Sequence, residues 1–331
     1  NTPKCFFYFQ NLYFCSKLEN RLKSGSEHRK FMHRCIELAR KGLGKTRLNP
    51  LVGSVIVHHG KIIGEGYHQK YGESHAEVNA IDSVKDKSFL KESTIYVNLE
   101  PCSHYGKTPP CSLLIRQSGI PEVVIGMTDP NPEVSGKGIR ILKESGIRVI
   151  EDVLKEECEY LNRRFTTYIQ KRRPYIILKW AQSIDGYIDK VRGADDPVKP
   201  NWITNHTARM LVHKWRGEEA GILAGVNTIL SDNPELTLRE WNGEQPVRIV
   251  IDRNKRIDLN HNVFNDEIKT IAFREKPKEK KFRKTMFVED IFRLEEILSY
   301  IADMGINSLI VEGGAAMLNS FIDKGLWDEA R

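Results

Sequence analysis

No stretch of this chain stays apolar over the ~18 residues that a membrane-crossing helix needs, so a helical membrane protein is not expected. Dense Lys/Arg blocks interleaved with aromatics are also missing. A formal charge of +7 on 331 residues suits small acidic ligands such as phosphates as well as it suits nucleic acid, and by default it reads as a solvated basic surface. The six cysteines, Cys5, Cys15, Cys35, Cys102, Cys111 and Cys158, show no disulfide framework, which points to a reducing cytoplasm. There is no G-x-G-x-x-G, which disfavours a conventional Rossmann domain. No methionine opens the chain, and residues 1–28 read as a disordered or non-native tail, since a signal peptide would carry a cleaner apolar run and a small-residue cleavage site.

With 40% hydrophobic and 29% charged residues the composition is that of a globular protein, and 331 residues are enough for two domains, each with its own core. Phe31, Cys35, Leu38 and Ala39 recur at helical spacing before Gly42 and Gly44 stop the helix. Strands are expected at 51–57, just after His58-His59-Gly60-Lys61, at 94–99, at 122–126 and at 147–150. Helices are expected around His75, over 110–117, 137–145 and about 153–169. The paired histidines sit at a hairpin tip and read as solvated. The alternation predicts an α/β/α sandwich over residues 29–173, closed by the basic hinge Lys171-Arg172-Arg173-Pro174. Residues 174–331 start a second α/β domain, with strands at 175–179, 221–224, 247–251, 269–273 and 307–311 and helices at 205–215 and 291–304. Asp232-Asn233-Pro234 reads as a loop, and Glu312-Gly313-Gly314 opens a last helix whose free N–H groups could hold phosphate.

The stretch from Pro101 to Cys111 carries the chemistry, together with His75-Ala76-Glu77. His75, Cys102 and Cys111 are three zinc ligands of the type that leaves a fourth position for water, whose pKa the metal lowers to about 7. Glu77, two residues after the histidine, can face that water without ligating, as a general acid/base. Zinc deaminases of bases have this form, H-x-E followed by P-C and a further Cys. A structural zinc closed by a fourth ligand, with His104 as the candidate, is the plainer alternative. The eight residues between the cysteines form a longer and more polar loop than the two common in enzymes that edit nucleic-acid bases, and imply a larger substrate.

These motifs, with Asn49-Pro50-x-Val52-Gly53 and His68 in the first half, resemble the bifunctional deaminase/reductases of riboflavin biosynthesis. In the second half so do Lys179-Trp180-Ala181-Gln182-Ser183-Ile184-Asp185-Gly186, Trp215-Arg216, Gly225-x-Asn227-Thr228, Asp232-Asn233-Pro234-x-Leu236-Thr237-x-Arg239, Val247 to Asp252 and Glu312-Gly313-Gly314. The resemblance covers nearly everything from residue 29 onward. It implies a cytidine-deaminase-like α/β/α domain followed by a dihydrofolate-reductase-like α/β domain. It also implies two consecutive steps on a phosphoribosyl pyrimidine: zinc-dependent deamination of 2,5-diamino-6-(5-phosphoribosylamino)pyrimidin-4-one, then NADPH-dependent reduction of the ribosyl group to ribityl. On this resemblance Asn49, His68, His104, Lys107, Asp129 and Asn131 bind the deaminase substrate. Arg216, Leu236, Arg239 and Glu312 hold the reductase substrate. Ala181, Trp202, Thr204, Thr228, Asp232 and Gly314 contact NADPH, and Lys179 and Asp232 are candidates to polarise the sugar or donate a proton. The family is often oligomeric, which leaves a homo-oligomer open; neither nucleic acid nor a membrane is an expected partner. Two departures stand out: Pro200 replaces a small polar residue two before Trp202, and the chain stops at Arg331 where relatives continue, so an incomplete reductase sheet is expected. The rival enzyme readings are a monofunctional deaminase with an inactive reductase half, and a nucleic-acid base deaminase.

Overall fold

A computed structural model describes residues 25–105, 109–193, 195–274, 282–289 and 293–331. The described residues divide into two compact units, 25–43 with 50–162 and 44–49 with 163–331.

The first unit opens with helix α1 (25–40), on which Phe31, Met32, Cys35, Ile36, Leu38 and Ala39 are all buried, as the helical spacing predicts. Strands β1 (Gly53–His58) and β2 (Lys61–Tyr67) form an antiparallel hairpin, followed by α2 (Ala76–Ser83), β3 (Ser93–Val97), α3 (Cys111–Gln117), β4 (Glu122–Ile125), α4 (Lys137–Glu144), β5 (Arg148–Ile150) and α5 (Lys155–Leu161). The sheet runs β2-β1-β3-β4-β5, with β1 antiparallel to β3 and β3, β4 and β5 parallel. Side chains alternate across the pleat. Val55, Val57, Tyr96 and Val124 therefore pack with α1 and α5 on one face, while Ile56, Ile95, Val97, Val123 and Ile125 pack with α2, α3 and α4 on the other. This is the expected sandwich, with its functional turns at the ends of β2 and β3.

Helix α6 (Arg163–Lys171) begins the second unit. Strand β6 (Tyr175–Lys179), α7 (His206–Glu218), β7 (Gly221–Gly225), α8 (Val226–Asp232), β8 (Val247–Ile251), β9 (Thr270–Phe273), β10 (Thr285–Val288), α9 (Leu294–Asp303), β11 (Ser308–Glu312), α10 (Ala315–Asp323) and β12 (Glu329–Ala330) follow. All pairings in the order β10-β9-β8-β7-β11-β6-β12 are parallel. With both faces covered, β7, β9 and β11 are buried along their whole length, as parallel strands between helix layers are.

The structure corrects several expectations. The single helix anticipated over about 153–169 is two, α5 and α6, split at Asn162. That residue is 1% exposed and leaves helical geometry so that its amide can accept from Leu51 N at 2.8 Å and donate to Leu51 O at 3.1 Å. Within the second unit Lys171 and Arg173 both engage Asp328, the latter through two bonds of 2.5 and 2.8 Å. Asp232 closes helix α8, where a loop was expected, because Asn233 adopts a left-handed conformation (φ 42°) that ends the helix one residue later. Strands β10 and β12 were not anticipated.

Candidate active sites

The zinc-type cluster is built from three chain segments. Close packing of α2 on β2 places the first: a Cβ at Gly66 would press into the backbone of Ala76 and Ala80, so only glycine lets the helix lie this near the strand. His75 is the N-cap of α2, and Glu77 enters its first turn, 3% exposed. Cys102 follows β3 outside any helix or strand, and Cys111 is the first residue of α3. These two segments are tied together: Cys111 N donates to the Cys102 sulfur at 3.3 Å, and Ser112 donates to the Cys102 carbonyl from both its backbone N and its Oγ, at 3.2 and 3.0 Å.

His75 Nδ1 lies 3.6 Å from Cys102 Sγ and 3.4 Å from Cys111 Sγ, and the three ligand atoms are all within 4.8 Å of one another. Tetrahedral zinc with its usual bond lengths needs nitrogen–sulfur separations of about 3.5 Å, so donor set and spacing fit that ion. A hydrogen bond from Cys111, helped by one from His75, brings the Cys102 thiol down to about 4, favouring the thiolate that binds metal; Cys111 is pushed up in return. The bond to Cys102 raises His75 to about 9, so metal must displace a proton there. Burial, reinforced by the nearby Cys102 charge, pushes Glu77 up to about 7, suited to taking and giving a proton near neutrality.

Of the expected substrate residues in this unit, His68 is buried beside the cluster. Its ring meets that of His75 edge-on at 5.8 Å, and its Nδ1 donates to the Ser74 carbonyl at 3.0 Å; burial lowers its pKa, so it is neutral at pH 7. His104 is exposed on the loop after Cys102. Asp129 is half-buried and near enough to Cys102 and His104 to sense their charges; burial raises its pKa, and its Oδ1 accepts from Asn131 N at 2.8 Å. Asn49 is half-buried in the 44–49 segment that belongs to the second unit. Lys107 and residues 1–24 lie outside the described residues.

In the second unit Lys179 and Glu312 stand at the carboxyl ends of adjacent parallel strands, where open α/β sheets hold ligands. Lys179 ends β6, Glu312 ends β11 beside it, and their side chains meet at 3.5 Å. Arg216 of α7 grips the same carboxylate with Nε and Nη2 at 2.7 and 2.8 Å and donates Nη1 to Thr237 O at 2.9 Å. Burial alone would raise the Glu312 pKa, but the charges of Arg216 and Lys179 outweigh it and hold it down to about 2. Arg216 therefore orients Glu312, a second residue that the resemblance assigns to the reductase substrate. Arg239, at the exposed rim, contacts Glu235 at 2.7 Å and Thr237 Oγ1 at 2.9 Å. Leu236 is buried with a left-handed backbone, φ 54°. Thr228 in α8 accepts from Gly314 N at 2.8 Å, which joins two of the expected cofactor residues. Ala181 is half-buried two residues beyond β6. Trp202 is exposed under the Arg209 guanidinium, 4.8 Å from its ring, and Thr204 O accepts from Arg209 at 3.1 Å. Asp232 is half-buried, which raises its pKa, and is held by Arg192 at 2.7 Å. Arg192 was not singled out from the sequence; nor was Glu100, whose buried carboxylate lies two residues before Cys102.

Residues 25–127 match the family described as cytidine and deoxycytidylate deaminase zinc-binding region, and residues 174–331 match the RibD C-terminal domain. The chain is 43% identical over 305 residues to the riboflavin biosynthesis protein RibD of Aquifex aeolicus, covering 90% of this chain and 84% of that protein. The chain belongs to the RibD family. The Escherichia coli RibD is 36% identical over 318 residues, covering 90% of this chain and 85% of that one. A crystal structure of the diaminohydroxyphosphoribosylaminopyrimidine deaminase/5-amino-6-(5-phosphoribosylamino)uracil reductase of Thermotoga maritima superposes with a TM-score of 0.82 at 40% identity, covering 91% of this chain and 85% of that one. RibD proteins are bifunctional deaminase/reductases of riboflavin biosynthesis, and this member has both parts: a zinc-binding deaminase domain and an NADPH-dependent reductase domain. Among the described residues no helix is long and apolar enough to cross a membrane.

Proposed function

We propose that the first unit deaminates 2,5-diamino-6-(5-phosphoribosylamino)pyrimidin-4-one and that the second reduces the ribosyl group of the product to ribityl. The observation that carries the first step is the convergence of His75 Nδ1 and the two sulfurs at 3.4–3.6 Å beside the buried Glu77. Zinc held by His75, Cys102 and Cys111 supplies a Lewis acid that makes water nucleophilic at neutral pH. Glu77 carries two protons in turn, the first from the attacking water to the ring nitrogen and the second from the resulting hydroxyl to the amine as the C–N bond breaks and the carbonyl forms, so the net change is one water consumed and one ammonia released. Neutral His68, with His104, Asp129, Asn131 and Lys107, orients the pyrimidine and its phosphoribosyl arm.

In the second unit NADPH supplies the hydride. Lys179, poised 3.5 Å from Glu312 at the strand ends, and Asp232 share the tasks of polarising the opened sugar and delivering the proton. Ala181, Trp202, Thr204, Thr228 and Gly314 bind the cofactor, Leu236 and Arg239 hold the substrate's phosphoribosyl end, and Glu312 is kept in register by Arg216. We place the enzyme in the cytoplasm, where a thiol pair stays reduced. The test is one cuvette: zinc-loaded protein and the diaminopyrimidine phosphoriboside, with ammonia measured first and NADPH absorbance followed next. Both signals in that order are expected; ammonia alone would remove the reductase step, and neither would leave the zinc structural.

A further inference from the structure

Glu100 is 5% exposed, yet among the described residues its carboxylate is held by backbone N–H groups and by no cation. Oε2 accepts from Asp129 N at 3.1 Å and Gly136 N at 2.9 Å; Oε1 accepts from Gly138 N at 2.9 Å and Ile139 N at 3.3 Å. Its own N–H donates to Met127 O at 2.9 Å. Residues 127–139, including Asp129 and Asn131, thus hang on one carboxylate, and that carboxylate is separated from the metal ligand Cys102 only by Pro101. Gly138 tightens the arrangement, since a Cβ there would collide with the Pro101 carbonyl. The last two donors are at the start of α4, where a helix favours negative charge.

We propose that Glu100 is a positioning residue of the deaminase: it sets the Asp129–Asn131 loop at a fixed distance from the Cys102 segment, so that substrate contacts and metal keep one register. Four donors aimed at two oxygens require an acceptor at both. An amide in its place turns two N–H donors against two others, and the loop loses half of its anchorage. The proposal rests on the deaminase reading of the first unit.

The experiment compares steady-state ammonia release by the full zinc-loaded chain with Glu100→Gln, Asn131→Ala and the double variant, alongside zinc content and NADPH oxidation on pre-deaminated substrate. Glu100→Gln is expected to raise KM by about tenfold or more with a smaller change in kcat, at full zinc and unchanged reductase activity. Asn131→Ala alone is expected to raise KM, and to add little in the Glu100→Gln background, because the loop is already displaced. An unchanged KM in Glu100→Gln, or effects of the two changes that simply multiply, would overturn the proposal. So would activity that falls only in step with zinc or folded protein, which is what a structural role produces. Should Glu100→Gln not accumulate, Glu100→Asp, which keeps the charge but shortens the reach, decides by the same readouts. A silent wild-type chain refutes the deaminase reading itself, whereas an active wild type with an indistinguishable Glu100→Gln refutes only the positioning role.

Discussion

Replacing Arg216 by Met removes the two bonds of 2.7 and 2.8 Å that hold Glu312 and leaves that buried carboxylate facing Lys179 at 3.5 Å. Depression of Glu312 from its ordinary 4.5 to about 2 corresponds to about 3 kcal/mol of folded-state stabilisation of the charged form. Breaking a buried pair from one side costs a similar amount, about 3–5 kcal/mol. Because the folded pKa is the lower one, this contribution is complete above pH 4.5 and is lost as pH falls through about 2. All five tryptophans, Trp180, Trp202, Trp215, Trp241 and Trp327, lie in the second unit, so their fluorescence reports its unfolding alone. Urea titrations at pH 7 are expected to show the Arg216→Met second unit weakened by about 3 kcal/mol. Between pH 4.5 and 3 the wild type is expected to lose stability more steeply than the variant, whose Glu312 titrates closer to its ordinary value. Equal urea midpoints at pH 7, with equal acid sensitivity, would refute the assignment of this pair.

Glu77→Gln is expected to keep one zinc per chain and lose about 100- to 10,000-fold in ammonia release, measured by metal analysis and coupled ammonia assay; retained activity would remove Glu77 as the proton carrier. Gly66→Ala forces α2 away from β2, and with it His75 and Glu77. It is expected to cost about 1–3 kcal/mol in the first unit and to lower zinc retention, while NADPH oxidation on pre-deaminated substrate, a second-unit reaction, persists. Zinc bound as tightly as in the wild type would show that the strand–helix approach does not set the ligand geometry.

The metal cluster was legible because its constraints are local and chemical. A histidine two before a glutamate, a Pro-Cys after a strand and a cysteine at the next helix start name the ligands before any contact is known, and the structure brings all three within 4.8 Å. The sheet of the first unit was legible for a similar reason, since Val55, Ile56 and Val57 already alternate between its two faces. What stayed hidden is pairing across distance. Nothing near Asn162 says that its amide is needed by Leu51, so one helix was expected where two form. Likewise Arg216 carries no mark distinguishing a substrate contact from a clamp on Glu312, and Arg192 none that aims it at Asp232. Strand β12 has two residues and hence no period to read. Glu100 is the sharpest case. A charge directly after a strand reads as solvated by default, and only the fold reveals the four N–H groups from residues 129–139 that make its burial tolerable. The zinc ligands and Glu77 were therefore named by type and spacing and the reductase residues only by resemblance, while the residues that hold them in place depend on partners that only the folded chain supplies.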